Sequence, residues 1–169
     1  MSTKPLVVLV GPPAAGKSRV AKRLGRIFDV AVVDTDTVVS SRWGPIPEIF
    51  ETQGEQFFRE KERVAVEGAL RTSGVVSLGG GAVLNPDTRR DLEEHRVALI
   101  TIDAESVAGR LDNDKRPLLK GGLDSWKELV ASRQEFYAAV ANREFDASHR
   151  TVDSLTEDIA SWIREDAEL

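Results

Sequence analysis

Residues 6–18 read LVVLVGPPAAGKS, an apolar run followed by a loop with two glycines, two prolines and a Lys-Ser pair. Residues 19–28, RVAKRLGRIF, follow the loop as a helical pattern. The loop matches G-x-x-x-x-G-K-[ST] in the strand–loop–helix context that this pattern requires, through Gly11, Gly16, Lys17 and Ser18. A tight turn alone would explain the glycines but not the Lys-Ser pair. We therefore predict a loop whose backbone N–H groups surround a polyphosphate.

Each part of this loop has a different expected role in binding a nucleoside triphosphate. The helix N-terminus favours negative charge, Lys17 would reach the outer phosphates, and the Ser18 hydroxyl would ligate Mg²⁺. Ala14 stands where many small kinases have glycine, which is a mild steric change. The residues predicted to contact ATP here are Gly11, Pro12, Pro13, Ala14, Ala15, Gly16, Lys17, Ser18 and Arg19.

Composition limits the classes of protein that fit. The 169 residues, 41% hydrophobic and 30% charged, predict a single soluble domain over 1–169. The absence of cysteine excludes disulfides and thiolate metal sites, and a net charge of -5 argues against a general affinity for nucleic acid or anionic membranes. No stretch approaches the roughly 18 consecutive apolar residues of a membrane span. We expect a cytoplasmic monomer without a signal peptide.

Short β-rich runs alternate with helical segments along most of the chain. The first four are apolar at both odd and even positions, which is typical of strands buried on both faces of a parallel sheet. The runs are LVVLV (6–10), VAVVD (30–34), GVVSL (74–78), VALITI (97–102) and, more weakly, EFDAS (144–148). The alternation predicts an α/β protein in which helices cover both faces of a parallel sheet, in three layers.

Three helix starts are marked by capping residues. Asn85 precedes a proline at a first helical position, and Asp103 precedes the segment that holds Val107. Ser154 and Glu157 form the S-x-x-E pattern of a capping box. We expect helices to begin at these three places.

Two segments interrupt the alternation. After the second strand, the chain to about residue 70 holds more helix than one crossover needs, which indicates an inserted helical subdomain. Residues 112–124, DNDKRPLLKGGLD, are polar and glycine-bearing between two helices. Loops of this length in a compact domain are commonly lids or binding loops, and we predict a lid.

Two aspartates follow the second strand, at the sheet edge where open α/β sheets bind ligands. Asp34 could hold a water on Mg²⁺, and Asp36 could accept a proton or a hydrogen bond from a substrate hydroxyl. The alternative is a helix N-cap followed by a solvated turn.

Three consecutive glycines, Gly79, Gly80 and Gly81, follow the third strand. Glycines there let the backbone approach a ligand closely and present its N–H groups. The alternative is a flexible connector, which leaves unexplained the entropy cost of three glycines directly after a core strand.

Two arginines are candidates for binding a carboxylate. Arg133 falls inside the apolar stripe of the helix predicted over 124–140, where an inward guanidinium needs an anionic partner. Arg59, in GEQFFREKE, could join it, although alone it fits a solvated salt bridge equally well. Arg116, in the predicted lid, could stabilise charge on a transferring phosphoryl group, and Arg110 could stack on a base or be a surface cation.

Taken together, these segments resemble the shikimate kinases, small phosphate-loop kinases of aromatic amino acid biosynthesis. The resemblance covers about residues 6–150 and is carried by GPPAAGKS, DTD, GEQFFREKE, SLGGGAV, RPLL and the arginine of ASRQEFY, in the family's order. It implies a three-layer phosphate-loop kinase fold with a five-stranded parallel sheet of order 2-3-1-4-5. It also implies a helical substrate-binding region at about 35–63 and a lid at about 112–124.

The resemblance also implies an activity and roles for the residues. The reaction would transfer the γ-phosphoryl group of ATP to the 3-hydroxyl of shikimate, giving shikimate 3-phosphate and ADP, with Mg²⁺ as cofactor. Asp36 would bind shikimate hydroxyls and act as the base, while Lys17 and Arg116 stabilise the phosphoryl in flight. The other implied contacts are Arg59, Arg133, Gly80 and Gly81 to shikimate, Ser18 and, through water, Asp34 to Mg²⁺, and Arg110 and Arg150 around the adenine.

Two alternatives fit parts of the pattern. A gluconate kinase would also need to bind a carboxylate and hydroxyls, but the triple glycine and the GE..FR helix favour shikimate. A non-catalytic nucleotide-binding regulator would not need Lys17, Asp36 and Arg116, so the presence of all three counts against it.

Thr151-Val152 departs from the serine/asparagine–proline turn that the family often has near adenine. His95 and His149 are predicted to be surface residues without partners.

Overall fold

A parallel five-stranded sheet forms the centre of the molecule in the computed structural model, which describes residues 4–111 and 122–167. Its strands are β1 (Val7–Val10), β2 (Val32–Asp34), β3 (Val75–Ser77), β4 (Val97–Thr101) and β5 (Arg143–Asp146). Their order across the sheet is β2-β3-β1-β4-β5. The α/β class, the five strands and the sheet order are therefore confirmed, with strand ends shifted by a residue or two.

The register of the central strands brings the sequence motifs to one edge. Leu9 in β1 is opposite Ser77 in β3, which is in turn opposite Asp34 in β2. The segments that follow these three strands therefore start side by side at the carboxyl edge of the sheet. They are the phosphate loop (residues 11–18), the Asp-Thr-Asp segment (34–36) and the triple-glycine loop (79–81).

Helices pack on both faces of the sheet. They are α1 (Lys17–Phe28), α2 (Thr35–Trp43), α3 (Ile46–Thr52), α4 (Gly54–Ala69), α5 (Pro86–Leu92), α6 (Ala104–Leu111), α7 (Leu123–Val140) and α8 (Val152–Ala167). A 3-10 turn, Ala82–Leu84, follows the triple-glycine loop. Helices α1 and α8 share one core with β1, and α4 and α5 share the other, so the expected three layers are present.

The segment after β2 folds as three helices with a small core of their own. Val39 of α2, Ile49 of α3 and Phe58 of α4 are buried together. The extra helical subdomain expected from the sequence is therefore present. It stands beside the carboxyl edge of β2 because α2 begins directly after that strand.

Two of the three expected helix caps are confirmed and one is wrong. The Asn85 side chain accepts a hydrogen bond from the Asp87 N–H, and Asp103 accepts one from Ser106. Helix α8, however, begins at Val152, and its first turn is capped by the Thr151 hydroxyl, which accepts from the Ser154 N–H at 3.0 Å. The S-x-x-E pattern at Ser154 and Glu157 thus lies inside the helix. A threonine three residues earlier offers the same chemistry, and sequence pattern alone does not separate the two.

The described residues contain no helix that is both long and apolar enough to cross a membrane.

His149 lies on the surface as predicted, but it is not without a partner: its Nε2 lies 3.1 Å from a carboxylate oxygen of Asp103. His95 is only half-buried, and burial lowers its pKa from the ordinary value.

Candidate active site

The phosphate loop is held in a conformation that requires its glycines. Gly11 has φ +148°, and a Cβ there would overlap the backbone carbonyl oxygen of Ile100. Gly16 has φ +96° and stands as the N-cap of α1. Both positions thus select glycine on conformation, and Gly11 also on space.

The alanine at position 14 has a different consequence from the mild steric effect that we expected. Its φ is +70°, in the left-handed region, where an L-residue with a side chain costs about 1–2 kcal/mol. The alanine is therefore a matter of backbone conformation rather than of bulk. Strain of this kind is commonly found at sites that bind ligands.

Lys17 directs its charge onto the phosphate loop. Its side chain is buried, and Nζ donates hydrogen bonds to the carbonyl oxygens of Gly11 at 2.8 Å and Pro12 at 2.9 Å. It is also the first residue of α1, whose first turn contains no acidic residue. The ammonium and the helix N-terminus together make the loop a site for negative charge.

Ser18 and Asp34 bring a hydroxyl and a carboxylate together beside the loop. The Ser18 hydroxyl donates to Asp34 Oδ2 at 2.6 Å. Asp34 Oδ1 accepts from the N–H groups of Asp36 at 3.0 Å and Thr37 at 3.2 Å, so the aspartate is also the N-cap of α2. The N-cap interpretation of Asp34 is therefore confirmed through Oδ1, and its role toward Mg²⁺ stays a prediction.

The donor set around Ser18 fits Mg²⁺. No cluster of three or more acidic or histidine side chains suited to a metal occurs within residues 4–111 and 122–167. Magnesium in phosphoryl-transfer sites usually takes one or two protein oxygens and completes its shell with water and phosphate. A serine hydroxyl next to a carboxylate matches that pattern.

The triple-glycine loop contacts the acidic and basic side chains of a second pocket. A Cβ on Gly79 would lie 2.5 Å from Asp36 Oδ1 and 3.1 Å from Glu62 Oε2. A Cβ on Gly81 would overlap the Arg59 guanidinium. A Cβ at either glycine would therefore displace these side chains, and the flexible-connector interpretation does not account for so close an approach. We call this surrounding group of side chains the acceptor pocket: Asp36, Arg59, Glu62, Arg133 and Tyr137.

Glu62 is the acidic centre of the acceptor pocket. Its carboxylate accepts from Arg59 Nη1 at 2.9 Å, and the residue is only 4% exposed. Burial raises the pKa of Glu62 to about 7 and outweighs the lowering by Arg59, while the Asp36 charge raises it further and Arg133 lowers it. Glu62 stands three residues after Arg59, and the sequence alone assigned it no function. Its i,i+3 spacing from that arginine was the available signal.

Arg133 lies on the inward face of α7, as the sequence predicted. It is 3% exposed, and its charge acts on both Glu62 and Tyr137. The other buried residues of α7 are Trp126 and Tyr137. The rest of the predicted apolar stripe is only partly buried, namely Leu129, Val130, Phe136 and Val140. Arg59 and Arg133 therefore share the acceptor pocket from two different helices.

Thr35 and Tyr137 fix the triple-glycine loop, and sequence reasoning missed both. The Gly79 N–H donates to Thr35 Oγ1 at 3.0 Å, and Thr35 is fully buried. The Tyr137 hydroxyl donates to the Gly80 carbonyl oxygen at 2.6 Å, and burial raises its pKa above the ordinary value. A threonine between two aspartates and a tyrosine in an apolar stripe carry no distinctive sequence signal.

Of the other arginines predicted to contact ATP, the structure describes Arg150 and Arg19 in full. Arg150 donates to Ser154 Oγ at 2.7 Å and to Asp158 Oδ2 at 2.5 Å, both in α8. Arg19 is exposed on α1. The Arg110 side chain and all of Arg116 lie outside the described residues, as does most of the predicted lid. Of that segment, residues 122–124 are described, and α7 begins among them.

The acceptor pocket brings two guanidinium groups together. Arg59 and Arg133 come from two different helices, with the carboxyl groups of Asp36 and Glu62 beside them and that of the exposed Glu55 at 3.3 Å from Arg59 Nε. Guanidinium groups bind a ligand with two oxygens, such as a carboxylate, through fork-like hydrogen bonds. The pocket stands next to the phosphate loop, since a Cβ on Gly80 would lie 3.0 Å from Pro13 Cδ.

A model of the family described as shikimate kinase matches residues 13–164 of the chain. A shikimate kinase of Corynebacterium diphtheriae is 36% identical over 164 residues, covering 95% of each chain. One of Thermobifida fusca is 40% identical over 164 residues, again covering 95% of each.

Comparison of structures agrees with comparison of sequences. The structure of a shikimate kinase from Acinetobacter baumannii in complex with shikimate superposes with a TM-score of 0.90. It is 29% identical, and the match covers 98% of this chain and 95% of the other. The likeness thus extends over nearly the whole length of both chains.

Proposed function

The chain belongs to the shikimate kinase family, and we propose that its reaction is the transfer of the γ-phosphoryl group of ATP to the 3-hydroxyl of shikimate. The products are shikimate 3-phosphate and ADP. The observation that carries the assignment of the acceptor is the buried Arg133, which shares a pocket with Arg59, Asp36 and Glu62 beside the phosphate loop.

In this proposal the acceptor pocket binds shikimate at both ends. Arg59 and Arg133 bind the carboxylate, because a buried guanidinium pair supplies charge and directional donors together. The backbone at Gly80 and Gly81 contacts the ring. Asp36 binds the ring hydroxyls at the side that faces the phosphate loop.

The phosphate loop binds ATP through residues 11–19. Lys17 binds the outer phosphates and, with Arg116 of the lid, stabilises charge on the transferring group. Ser18 and, through water, Asp34 would hold Mg²⁺, which when bound neutralises charge on the phosphates. Arg110 and Arg150 flank the adenine in this proposal.

The chemical step needs positioning and one proton acceptor. As the 3-hydroxyl oxygen bonds to the γ-phosphorus, its proton passes to the Asp36 carboxylate and the bond from the γ-phosphorus to the bridging oxygen breaks, releasing ADP. Glu62 keeps the Arg59 guanidinium in place through the 2.9 Å hydrogen bond. Lid closure would exclude water and so limit hydrolysis of ATP.

The proposal is tested by coupling ADP release to a spectrophotometric readout, with Mg²⁺ and ATP and with shikimate, gluconate or no acceptor. We expect release that depends on shikimate. Release with gluconate alone would keep the phosphate-loop assignment and overturn that of the acceptor pocket. ATP binding without release on either acceptor would indicate the non-catalytic regulator.

Arg133→Ala tests the carboxylate contact in the same assay. We expect the KM for shikimate to rise roughly tenfold or more, because a hydrogen bond to a charged group contributes about 1.5–3 kcal/mol, and the KM for ATP to change little. Arg90→Ala, which removes an exposed arginine of α5, is the matched control. Equal increases in both KM values for Arg133→Ala would contradict the assignment.

A further inference from the structure

Helix α7 places its three buried side chains in one line. Trp126, Arg133 and Tyr137 stand at positions i, i+7 and i+11, which at 3.6 residues per turn fall within about 40° of one another. The line is about 16 Å long at 1.5 Å per residue. Arg133 and Tyr137 both line the acceptor pocket, but neither Tyr137 nor Trp126 has a step of the proposed reaction assigned to it.

Trp126 connects one end of this line to the phosphate loop. Its indole Nε1 donates a hydrogen bond to the Pro13 carbonyl oxygen at 2.8 Å, and the residue is 3% exposed. An indole N–H is a donor only, and a buried indole needs an acceptor. The orientation of the indole is therefore tied to the backbone of the phosphate loop.

Tyr137 connects the other end to the triple-glycine loop. Its hydroxyl donates to the Gly80 carbonyl oxygen at 2.6 Å, and it is also 3% exposed. The raised pKa keeps the hydroxyl protonated and thus a donor. The two hydrogen bonds run from a rigid helix to two different loops.

The two loops also touch each other, which closes the arrangement. A Cβ on Gly80 would lie 3.0 Å from Cδ and 3.2 Å from Cγ of Pro13. The residues that accept the two hydrogen bonds from α7 are therefore in mutual contact. The backbone that binds the donor phosphates and the backbone that contacts the acceptor are each fixed to one helix.

We propose that Trp126 and Tyr137 are positioning residues, and that with them α7 acts as a strut that sets the distance between the ATP phosphates and the acceptor hydroxyl. The inference rests on the proposed function. Rates of group transfer depend steeply on this distance, since a displacement of about 1 Å can cost about a hundredfold. The strut fixes the distance only while Trp126 is bonded to Pro13 and Tyr137 to Gly80. Loss of either hydrogen bond should therefore lower the rate as much as loss of both.

The test uses Trp126→Phe and Tyr137→Phe, which remove one donor each and keep an aromatic ring, together with the double variant. The measurement is the single-turnover rate of phosphoryl transfer to shikimate, with enzyme in excess over ATP, so that product release does not limit it. The KM values for ATP and shikimate and the thermal unfolding midpoint are measured alongside. Trp162→Phe, at a partly buried tryptophan that packs on Phe145, is the matched control.

We expect each single variant to lose about tenfold in single-turnover rate with both KM values within about twofold of wild type. The double variant should lose little more than either single variant, because the two bonds act in series. A rise in the ATP KM for Trp126→Phe alone and in the shikimate KM for Tyr137→Phe alone, with multiplied effects in the double variant, would show two independent local supports and overturn the strut. So would unchanged rates in variants that stay folded.

The controls separate failure of the strut from failure of the proposed function. Absence of shikimate-dependent transfer in wild type and in Trp162→Phe would refute the function itself. If Trp126→Phe does not fold, Tyr137→Phe decides alone. A lower rate with unchanged KM values then supports the strut, and a raised shikimate KM with an unchanged rate refutes it.

Discussion

Single atoms at the triple-glycine loop decide how the acceptor pocket is shaped. Gly81 has φ −102°, which any residue can adopt, yet a Cβ there would overlap the Arg59 guanidinium. Gly81→Ala should therefore displace Arg59 without straining the backbone. We expect the KM for shikimate to rise about tenfold or more while the KM for ATP stays near wild type.

Gly68→Ala in α4 is the matched control for Gly81→Ala, because a Cβ at Gly68 meets nothing within 4 Å. Steady-state kinetics with each substrate varied in turn measure both KM values. A Gly81→Ala enzyme with an unchanged shikimate KM would separate Arg59 from substrate binding.

The buried Glu62 makes stability depend on pH. Its pKa is about 7 in the folded protein against 4.5 as the ordinary value, so between these pH values the folded state binds more protons than the unfolded state. The free energy of unfolding should therefore fall as pH rises from 4.5 to 7, and this contribution should level off above 7. At 1.36 kcal/mol per pKa unit the loss is roughly 3 kcal/mol at most.

Glu62→Gln should remove this dependence, since the amide stays neutral. Urea unfolding of wild type and variant from pH 4.5 to 8 gives the difference in the free energy of unfolding at each pH. We expect that difference to shift in favour of the variant as pH rises to 7. Glu60→Gln, at an exposed position of the same helix, is the control. A difference for Glu62→Gln that does not vary with pH would contradict the raised pKa.

Sequence reasoning at this scale found residues whose type is unexpected for their place and missed those that look ordinary. Arg133 was recognisable because a guanidinium interrupts an apolar stripe. Tyr137 lies in the same stripe and fits it, so nothing marks its hydroxyl as the donor to Gly80. The role of Glu62 depends on burial, which an acidic residue in a charged helix does not reveal.

At the scale of elements, the start of α8 gives the sharpest test. The Thr151 hydroxyl accepts the Ser154 N–H, so Thr151→Ala should lower the free energy of unfolding by about 1 kcal/mol, as the loss of an N-cap typically does. Ser154→Ala loses an exposed hydrogen bond with Arg150 but gains helix propensity, and we expect a smaller change. Chemical denaturation measures both, and a larger loss for Ser154→Ala would restore the capping box.

Strands were predictable from the sequence where most of their residues are apolar. The runs that became β1 to β4 are apolar at both odd and even positions because helices cover both faces of the sheet. In β5 only Phe145 is buried, which explains why that run gave a weaker signal. The cap of α8 was misplaced because Thr151 and Ser154 carry the same functional group three residues apart.

At the scale of the molecule, the site is a consequence of parallel pairing. Strands β1, β2 and β3 end at one edge, so two loops and the start of α2, which are far apart in sequence, become neighbours. The motifs predicted which loops matter, and the resemblance supplied the sheet order, which periodicity alone does not determine. The contact between Pro13 and Gly80 depends on strand register and loop conformation, which leave no pattern in the sequence.

The most direct test of the central claim is to identify the product. Phosphorus NMR of a reaction with ATP, Mg²⁺, shikimate and the purified protein resolves ADP, inorganic phosphate and any phosphate ester. We predict one equivalent of ester on the 3-hydroxyl of shikimate for each ADP formed. ADP accompanied by inorganic phosphate alone, or an ester at another hydroxyl, would contradict the assignment of the acceptor pocket.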